Sequence, residues 1–450
     1  TIPHPGEYGY DTWPEDAWQR VGGANSWAGM SLDPQRGIVF IPTGSAAYDF
    51  YGGDRHGKNL FANSLIALDA VTGERRWHYQ TVHHDLWDRD LPAPPNLVTV
   101  THDGEEIDAV AQITKSAYVF LFDRETGDPL FPIEEVPVPA SDLKGEEAWP
   151  TQPIPTKPAP FSRHRFREED ITRRTPEAYE YVRSIWANLR EGEPFIPPTE
   201  EGTILLPGFD GGGEWGGAAA DPEGILYVNA GEMPWILQML PYEETESDLL
   251  AARGKNIYST NCMICHGKDL QGASVNAFPS LVDIKKRKTE AEVAAFIRSG
   301  QGMMPSFAHL KEEDIDAVVA FLFESEEKAV PKEVSGEEEG GWPHPYTMNG
   351  YQRFKDQDGF PAITPPWGTL NAIDLNSGEL KWKVTLGEYP GLEGAYEQPT
   401  GTESYGGPVV TAGNVLFIAA TMDEKIRAFD KRNGALLWEA DLPEIGRAHV

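Results

Sequence analysis

Across most of the chain the apolar residues fall in short, strand-length runs separated by Gly, Pro, Asn and Asp, and one phrase recurs in them. "ALDAVTGERRW" ends at Trp77, "LFDRETGDPLF" at Phe131, "AIDLNSGELKW" at Trp382 and "AFDKRNGALLW" at Trp438. Each copy places an Asp, then a Gly four residues later, then an aromatic four beyond that: Asp69, Gly73, Trp77; Asp123, Gly127, Phe131; Asp374, Gly378, Trp382; Asp430, Gly434, Trp438. The pattern predicts a hairpin. An apolar strand leads in, the Asp bonds the turn backbone, the Gly takes positive φ, and the returning aromatic packs between neighbouring units.

A second phrase, "WAGMSLDPQRGIVFIPTG", "WGGAAADPEGILYVNAG" and "YGGPVVTAGNVLFIAAT", is a Gly-rich approach followed by a hairpin. Its second strand is almost wholly apolar, as expected of strands buried near the middle of stacked sheets. Copies of the first phrase stand 54 residues apart at Asp69 and Asp123 and 56 apart at Asp374 and Asp430. Repeats of about 50 residues around a central axis predict a β-propeller. Only about five blades' worth of sequence is present, too little to close a ring without exposed strand edges, so the native protein is expected to be longer at the N-terminus. The last six residues, "IGRAHV", break the pattern and are what a common sequencing adapter encodes when translated. Residues 445–450 are therefore read as a non-native tail.

Between these repeats the periodicity turns helical. "DLLAARGKNIYSTN" spaces Leu249, Ala252 and Ile257 for one helical face, and "STNCMICHGKD" follows with the only two cysteines of the 450-residue chain. A thioredoxin-type redox pair would end a strand in a βαβ unit, and structural zinc would need two more ligands at matching spacing. Neither context is present. C-x-x-C-H beside a helix reads as covalent attachment of haem c: Cys262 and Cys265 as the thioether sites, His266 as the proximal iron ligand. "GQGMMPSFAHL" offers a soft sixth ligand, Met304 or its rival Met303, before a closing helix from Glu312 to Phe323. The domains read as propeller over 1–244, cytochrome over 245–330, and linker with returning propeller over 331–444. The Glu- and Gly-rich "EEKAVPKEVSGEEEGGWPHP" leads back, so the cytochrome is expected as an insertion between blades.

Composition narrows the functional classes. With 38 basic and 71 acidic residues the formal charge is −33, a field that repels nucleic acid and anionic lipid. Residues 245–330 carry 10 basic and 13 acidic groups, so nearly all the excess lies on the propeller portion. "KKRK", Lys285 to Lys288, reads as a solvated face, with docking on an acidic surface as the alternative. No run of about 18 apolar residues offers a membrane span. The start shows no signal peptide, but Thr1 is not an initiator methionine, so an export signal could have stood upstream.

Outside the cytochrome stretch the chain resembles the quinoprotein dehydrogenases that bind pyrroloquinoline quinone (PQQ), in particular the glucose-dehydrogenase-like branch. "QTVHHDLWDRDLPAPPNL", "PPWGTLNAIDLNSGELKW" and "GGPVVTAGNVLFIAAT" carry the likeness. The stretch from Leu249 to Phe323 resembles class I cytochromes c, which place the ligand directly before proline and so favour Met304. The two together resemble soluble quinohaem relatives. The resemblance implies an eight-bladed all-β propeller, incomplete here, with an inserted all-α cytochrome c domain. It implies Asp88 as general base, Lys115 against the quinone oxygens, Trp27 as the floor under the ring and Asn229 nearby. It also implies a Ca²⁺ ion, for which Asp88 and, in place of the asparagine of the methanol-dehydrogenase branch, Ser45 are the candidates, serine being a weaker oxygen ligand. The vicinal cysteine pair of that branch is missing.

The implied activity is oxidation of a sugar or alcohol at PQQ, with electrons passing through haem c to an external acceptor, a cytochrome or quinone. Haem c attachment implies an exported or periplasmic location. Much of the pocket is expected in further blades, so the chain alone is expected to be inactive. The rival reading is a non-catalytic propeller scaffold carrying an electron-transfer cytochrome, which gives no reason to keep Asp88, Lys115 and Trp27 together. A plain sugar-binding module leaves the haem unexplained.

Overall fold

A computed structural model describes residues 2–191, 194–242, 250–272, 278–302, 304–308, 310–324, 344–392 and 394–443. Nearly all of the expected linker, the 445–450 tail and Met303 lie outside the described residues. The chain divides into two compact units, Thr1–Thr199 with Thr203–Ile236 and Phe354–Val450, and Glu200–Gly202 with Leu237–Arg353. Among the described residues no helix is long and apolar enough to cross a membrane.

The first unit is built from antiparallel sheets in sequence order. The first joins Ser31–Asp33, Ile38–Pro42, Leu60–Asp69 and Arg75–Gln80; the second joins Asn96–His102, Glu105–Ile113 and Val119–Asp123. The third joins Ala218–Ala220, Ile225–Gly231, Gly368–Asp374 and Glu379–Thr385; the fourth joins Val409–Val410, Val415–Ile418, Lys425–Asp430 and Leu436–Asp441. The recurring turn forms as its residues dictate. Asp69 Oδ1 accepts the amides of Val71 and Thr72 at 3.0 Å each, and Asp123 Oδ1 those of Glu125 and Thr126 at 2.8 and 2.9 Å. The glycines that close these turns have φ of 73° at Gly73, 78° at Gly127, 71° at Gly378 and 72° at Gly434, open to glycine without strain.

The returning aromatics then lock sheet to sheet. A Cβ on Gly127 would lie 2.5 Å from the Trp77 ring, one on Gly378 3.0 Å from Phe131, and one on Gly434 2.8 Å from Trp382. Thus each aromatic seats on the turn of the next sheet, and the indoles of Trp77 and Trp382 donate to Arg124 O (3.2 Å) and Lys431 O (3.0 Å) there. The faces between are apolar: Val98, Ala109, Leu121, Leu226, Val228 and Ile373 fill one interface, and Ile225, Tyr227, Leu370, Leu416, Ile418 and Phe429 another.

A second clasp was not expected from the sequence. The basic residue after the turn Asp reaches back to the Asp-Pro turn of the preceding sheet: Arg124 Nη1 to Asp33 Oδ2 at 2.9 Å, Lys431 Nζ to Asp221 Oδ2 at 2.8 Å. Burial pushes the Asp33 carboxyl up, but Arg124 and the Arg36 amide and side chain outweigh it and hold the carboxyl at about 2. A depressed folded value means stability that is present above the unfolded value near 4 and lost as pH falls toward 2. Asp33→Asn is expected to destabilise the unit by about 1.5–3 kcal/mol at neutral pH, since it takes the carboxylate from a buried guanidinium that keeps only the carbonyls of Val98 and Ala109. Urea unfolding at pH 7 and pH 3 checks this: the variant should lose less on acidification than the parent, and equal losses would exclude the clasp.

The expectation of an insertion between blades is corrected by the strand register. Ile225 pairs with Asp374 and Gly231 with Gly368, so the third sheet is made of strands lying on either side of the inserted unit. The insertion enters within a sheet, between its second and third strands. Adjacent antiparallel strands end side by side, so the connection between them can be of any length.

The second unit holds the helices Leu250–Asn261, Met263–His266, Glu290–Ser299 and Glu312–Leu322, with the strands Met239–Pro241 and Tyr346–Met348 paired. The first and last of these helices cross so closely that a Cβ on Gly254 would sit 1.8 Å from Ala317 O, so only glycine fits there. Thr289 and Glu292 close a reciprocal cap on the third helix. Tyr258, Ile284, Val293, Ile297, Ile315, Val318 and Leu322 form the core.

Candidate functional sites

In the first unit three connections meet at one edge of the first two sheets. Residues 43–46 follow the strand Ile38–Pro42, residues 81–95 follow Arg75–Gln80, and residues 114–118 join Glu105–Ile113 to Val119–Asp123. The ammonium of Lys115 lies between two carboxylates, donating to Asp88 Oδ2 and Asp90 Oδ2 at 3.0 Å each. It stands 6.0 Å from the ring centroid of Trp27, a residue 46% exposed. The structure therefore brings together the three residues singled out by resemblance.

The loop that carries Asp88 is held from within. Asp85 accepts the amides of Trp87 (2.9 Å) and Arg89 (2.6 Å), the Asn63 side-chain amide (2.8 Å) and the Ser45 hydroxyl. Arg89 in turn donates to Pro207 O at 2.6 Å and Gly208 O at 2.8 Å. So braced, Asp88 keeps a left-handed φ of 57°, a conformation that costs energy and is retained where the surroundings over-determine it. A glycine run lies against the Lys115 turn: a Cβ on Gly211 would be 2.7 Å from Lys115 Cγ, and one on Gly212 2.4 Å from Ala117 Cβ.

The carboxylates differ in their hold on a proton. Burial pushes the Asp88 carboxyl well above the usual range, and Asp90 and Asp49 add to the rise although Lys115 opposes it. Burial likewise raises Asp49, with Asp90 and Asp85 adding, to about 7. Asp90 goes the other way: burial is outweighed by Lys115 and the Ser45 amide, which hold it below the usual range. Burial disfavours the Lys115 ammonium, yet Asp88 and Asp90 together keep it charged. A proton-seeking carboxylate, a fixed cation and an open indole face make a cradle suited to a flat ring with anionic oxygens and to a hydroxyl that must lose its proton.

Asn229 and Ser45 are both buried and hydrogen-bonded. Asn229 is buried on Ile225–Gly231 and donates to Ser404 O at 2.7 Å; its strand is linked to the Lys115 turn through Gly212, which donates to Lys115 O at 2.7 Å and accepts from the Gly231 amide at 3.1 Å. The Ser45 hydroxyl donates to Asp85 and lies 3.3 Å from the Asn63 amide nitrogen. Among the described residues no group of three or more His, Cys, Asp or Glu side chains is placed to hold a metal ion. Sequence reading singled out Asp88 but neither Asp85 nor Asp90; the available signal was the crowding of three Asp residues within "HHDLWDRD".

In the second unit Cys262, Cys265, His266 and Met304 line one cavity of about 500 Å³ with Tyr258, Phe296 and Leu322. His266 Nδ1 lies 3.0 Å from Pro279 O, so this nitrogen carries the proton and Nε2 is left as the lone-pair nitrogen a metal requires. Burial lowers the affinity of His266 for a second proton and keeps the imidazole neutral. Burial also pushes Cys262 up to about 12 and raises Cys265, the reverse of the low values that mark a redox-active pair. Two neutral thiols, a neutral imidazole and a thioether around an apolar cavity fit a covalently held haem. Pro279 escaped sequence reading, because its role is carried by a backbone carbonyl.

The chain matches the family model "Glucose/ethanol/alcohol dehydrogenase, beta-propeller domain" of the PQQ group over residues 3–288 and 306–450, and the cytochrome c model over residues 251–326. It is 31% identical over 438 residues to the quinoprotein glucose dehydrogenase of Escherichia coli strain K12, covering 94% of this chain and 44% of that protein. It is 30% identical over 427 residues to the quinate/shikimate dehydrogenase (quinone) of Acinetobacter baylyi, covering 93% and 43%. Among solved structures, the quinohemoprotein alcohol dehydrogenase of Comamonas testosteroni superposes with a TM-score of 0.50 at 18% identity, covering 94% of this chain and 42% of that one. The chain thus spans less than half the length of these relatives.

Proposed function

Because this chain belongs to the PQQ-dependent glucose, ethanol and alcohol dehydrogenase family and carries a cytochrome c domain, we propose that it is part of a periplasmic quinohaem dehydrogenase that oxidises a sugar or alcohol. The observation that carries the reading is the Lys115 ammonium paired with Asp88 beside the open face of Trp27. When bound, PQQ supplies the two-electron acceptor and haem c the one-electron relay. Trp27 supports the flat ring on its exposed face, and Lys115 draws the anionic oxygens into place. Asp88, its affinity for protons raised by burial, takes the hydroxyl proton of the substrate at its carboxylate. In the second unit Cys262 and Cys265 would bond the haem edge, while His266 Nε2 and the Met304 thioether would hold the iron.

Calcium stays within the proposal, with Asp88 and Ser45 as the candidate oxygen ligands of this chain. The eight-bladed count and the exported location belong to the same reading, supported by the turn phrase repeated in four sheets and by the haem attachment motif. The test is the whole protein supplied with PQQ and Ca²⁺ and then with aldoses or primary and secondary alcohols. Haem reduction on addition of one of these is the expected result; an oxidised haem with every substrate class would favour the non-catalytic scaffold.

A further inference from the structure

We propose that Asp90 is a positioning residue for the oxidation, fixing the Lys115 ammonium against Trp27 independently of Asp88. The inference rests on the PQQ reading of the site. Asp90 is buried, and its two oxygens do different jobs. Oδ2 accepts from Lys115 Nζ at 3.0 Å, and Oδ1 accepts from the Ser45 backbone amide at 2.6 Å. One carboxylate thereby ties the 43–46 connection, its own loop and the 114–118 turn, which come from two different sheets. Gly44 makes room for it: a Cβ there would stand 2.4 Å from Asp90 Oδ1 and 3.2 Å from Trp27 Nε1, so the same glycine fixes the carboxylate next to the indole.

The physical need is plain. A lysine ammonium on four methylenes carries about 2 kcal/mol of rotamer freedom, and one contact does not hold it in a single place. Asp88 is one contact, but a group that is to receive the substrate proton cannot be the lasting anchor of a cation. Asp90 can, because the Ser45 amide pins Oδ1 and leaves Oδ2 aimed at the ammonium. Asp85, by comparison, spends its oxygens on Trp87, Arg89, Asn63 and Ser45 and has no bond to Lys115, so it braces the loop only.

The test uses the whole protein with PQQ and Ca²⁺. Asp90→Asn keeps the shape and the Ser45 bond but turns an amide toward Lys115. It is expected to raise the PQQ concentration for half-reconstitution by about tenfold, as loss of one charge-assisted bond would. Turnover at saturating PQQ should fall far less than in Asp88→Asn. On a Lys115→Met background the same change should cost under about twofold, since partners acting through each other are not additive. Gly44→Ala, which keeps every charge and crowds Asp90 Oδ1, should raise the PQQ requirement in the same direction, and it serves if Asp90→Asn does not fold. Full additivity of Asp90→Asn with Lys115→Met would overturn the proposal, as would restoration by excess Ca²⁺ instead of excess PQQ, which would make Asp90 a metal ligand. A parent protein that takes up no PQQ would instead remove the PQQ reading itself, and the proposal with it.

Discussion

Asp88→Asn is expected to lower substrate-dependent reduction by about 10²–10⁴-fold in the PQQ-loaded protein, the range contributed by a positioned general base. Asparagine is the informative replacement. Asp88 has a φ of 57°, a region asparagine tolerates and alanine does not, so the loop should keep its path. Lys115 keeps its bond to Asp90, so the cation stays in place when Asp88 loses its charge. PQQ uptake should therefore persist with an apparent affinity within about tenfold of the parent, while turnover collapses at every substrate concentration. Initial rates with a soluble dye, which bypass the haem, give the measurement. A variant retaining a tenth or more of the parental rate would show that another group takes the proton, and Asp49, whose charge acts on Asp88 and whose carboxyl burial raises to about 7, is the candidate.

The second large effect concerns the cytochrome. Replacing Cys262 and Cys265 with serine is expected to remove haem from the denatured polypeptide entirely and to reduce electron delivery to a one-electron acceptor protein to background. Dye-linked oxidation at PQQ should remain, because the carboxylate, cation and indole belong to the other unit. The helices should suffer as well: their core surrounds a cavity of about 500 Å³, and an unfilled apolar space of that size removes much of their packing. Helical circular dichroism and haem staining after denaturation measure both outcomes. Covalent haem that survived the double replacement would exclude the attachment site.

What could be read in advance depended on how local the physics was. The Asp-to-Gly-to-aromatic turn is decided within nine residues, by an Asp oxygen, a glycine φ and a ring, so its four copies stood out; the structure forms all four turns, while the ring packs on a neighbouring turn in three and Trp438 is left 51% exposed. The haem motif is likewise local, being one helical turn. The pairing of Gly231 with Gly368 is not: nothing in either strand names its partner across the inserted unit, and the insertion was placed between sheets. Asp33 and Arg124 were missed for the same reason, since each looks like an ordinary turn residue until two sheets meet. Within the site, Asp88 and Asp90 are the same residue type two positions apart. Only their surroundings, a backbone amide on one and a strained backbone under the other, divide the roles.

The hairpin that opens between Gly231 and Gly368 has an evolutionary consequence. Both ends of the detour return to neighbouring rungs of one ladder, and doubling a loop's length costs only about 0.6 kcal/mol in closure entropy. A redox module can therefore be acquired or shed at such a point as a cassette, leaving the host ladder in register. By that logic, excision of the inserted unit at this turn would leave the ladder and the loops that carry Asp88, Lys115 and Trp27 unchanged.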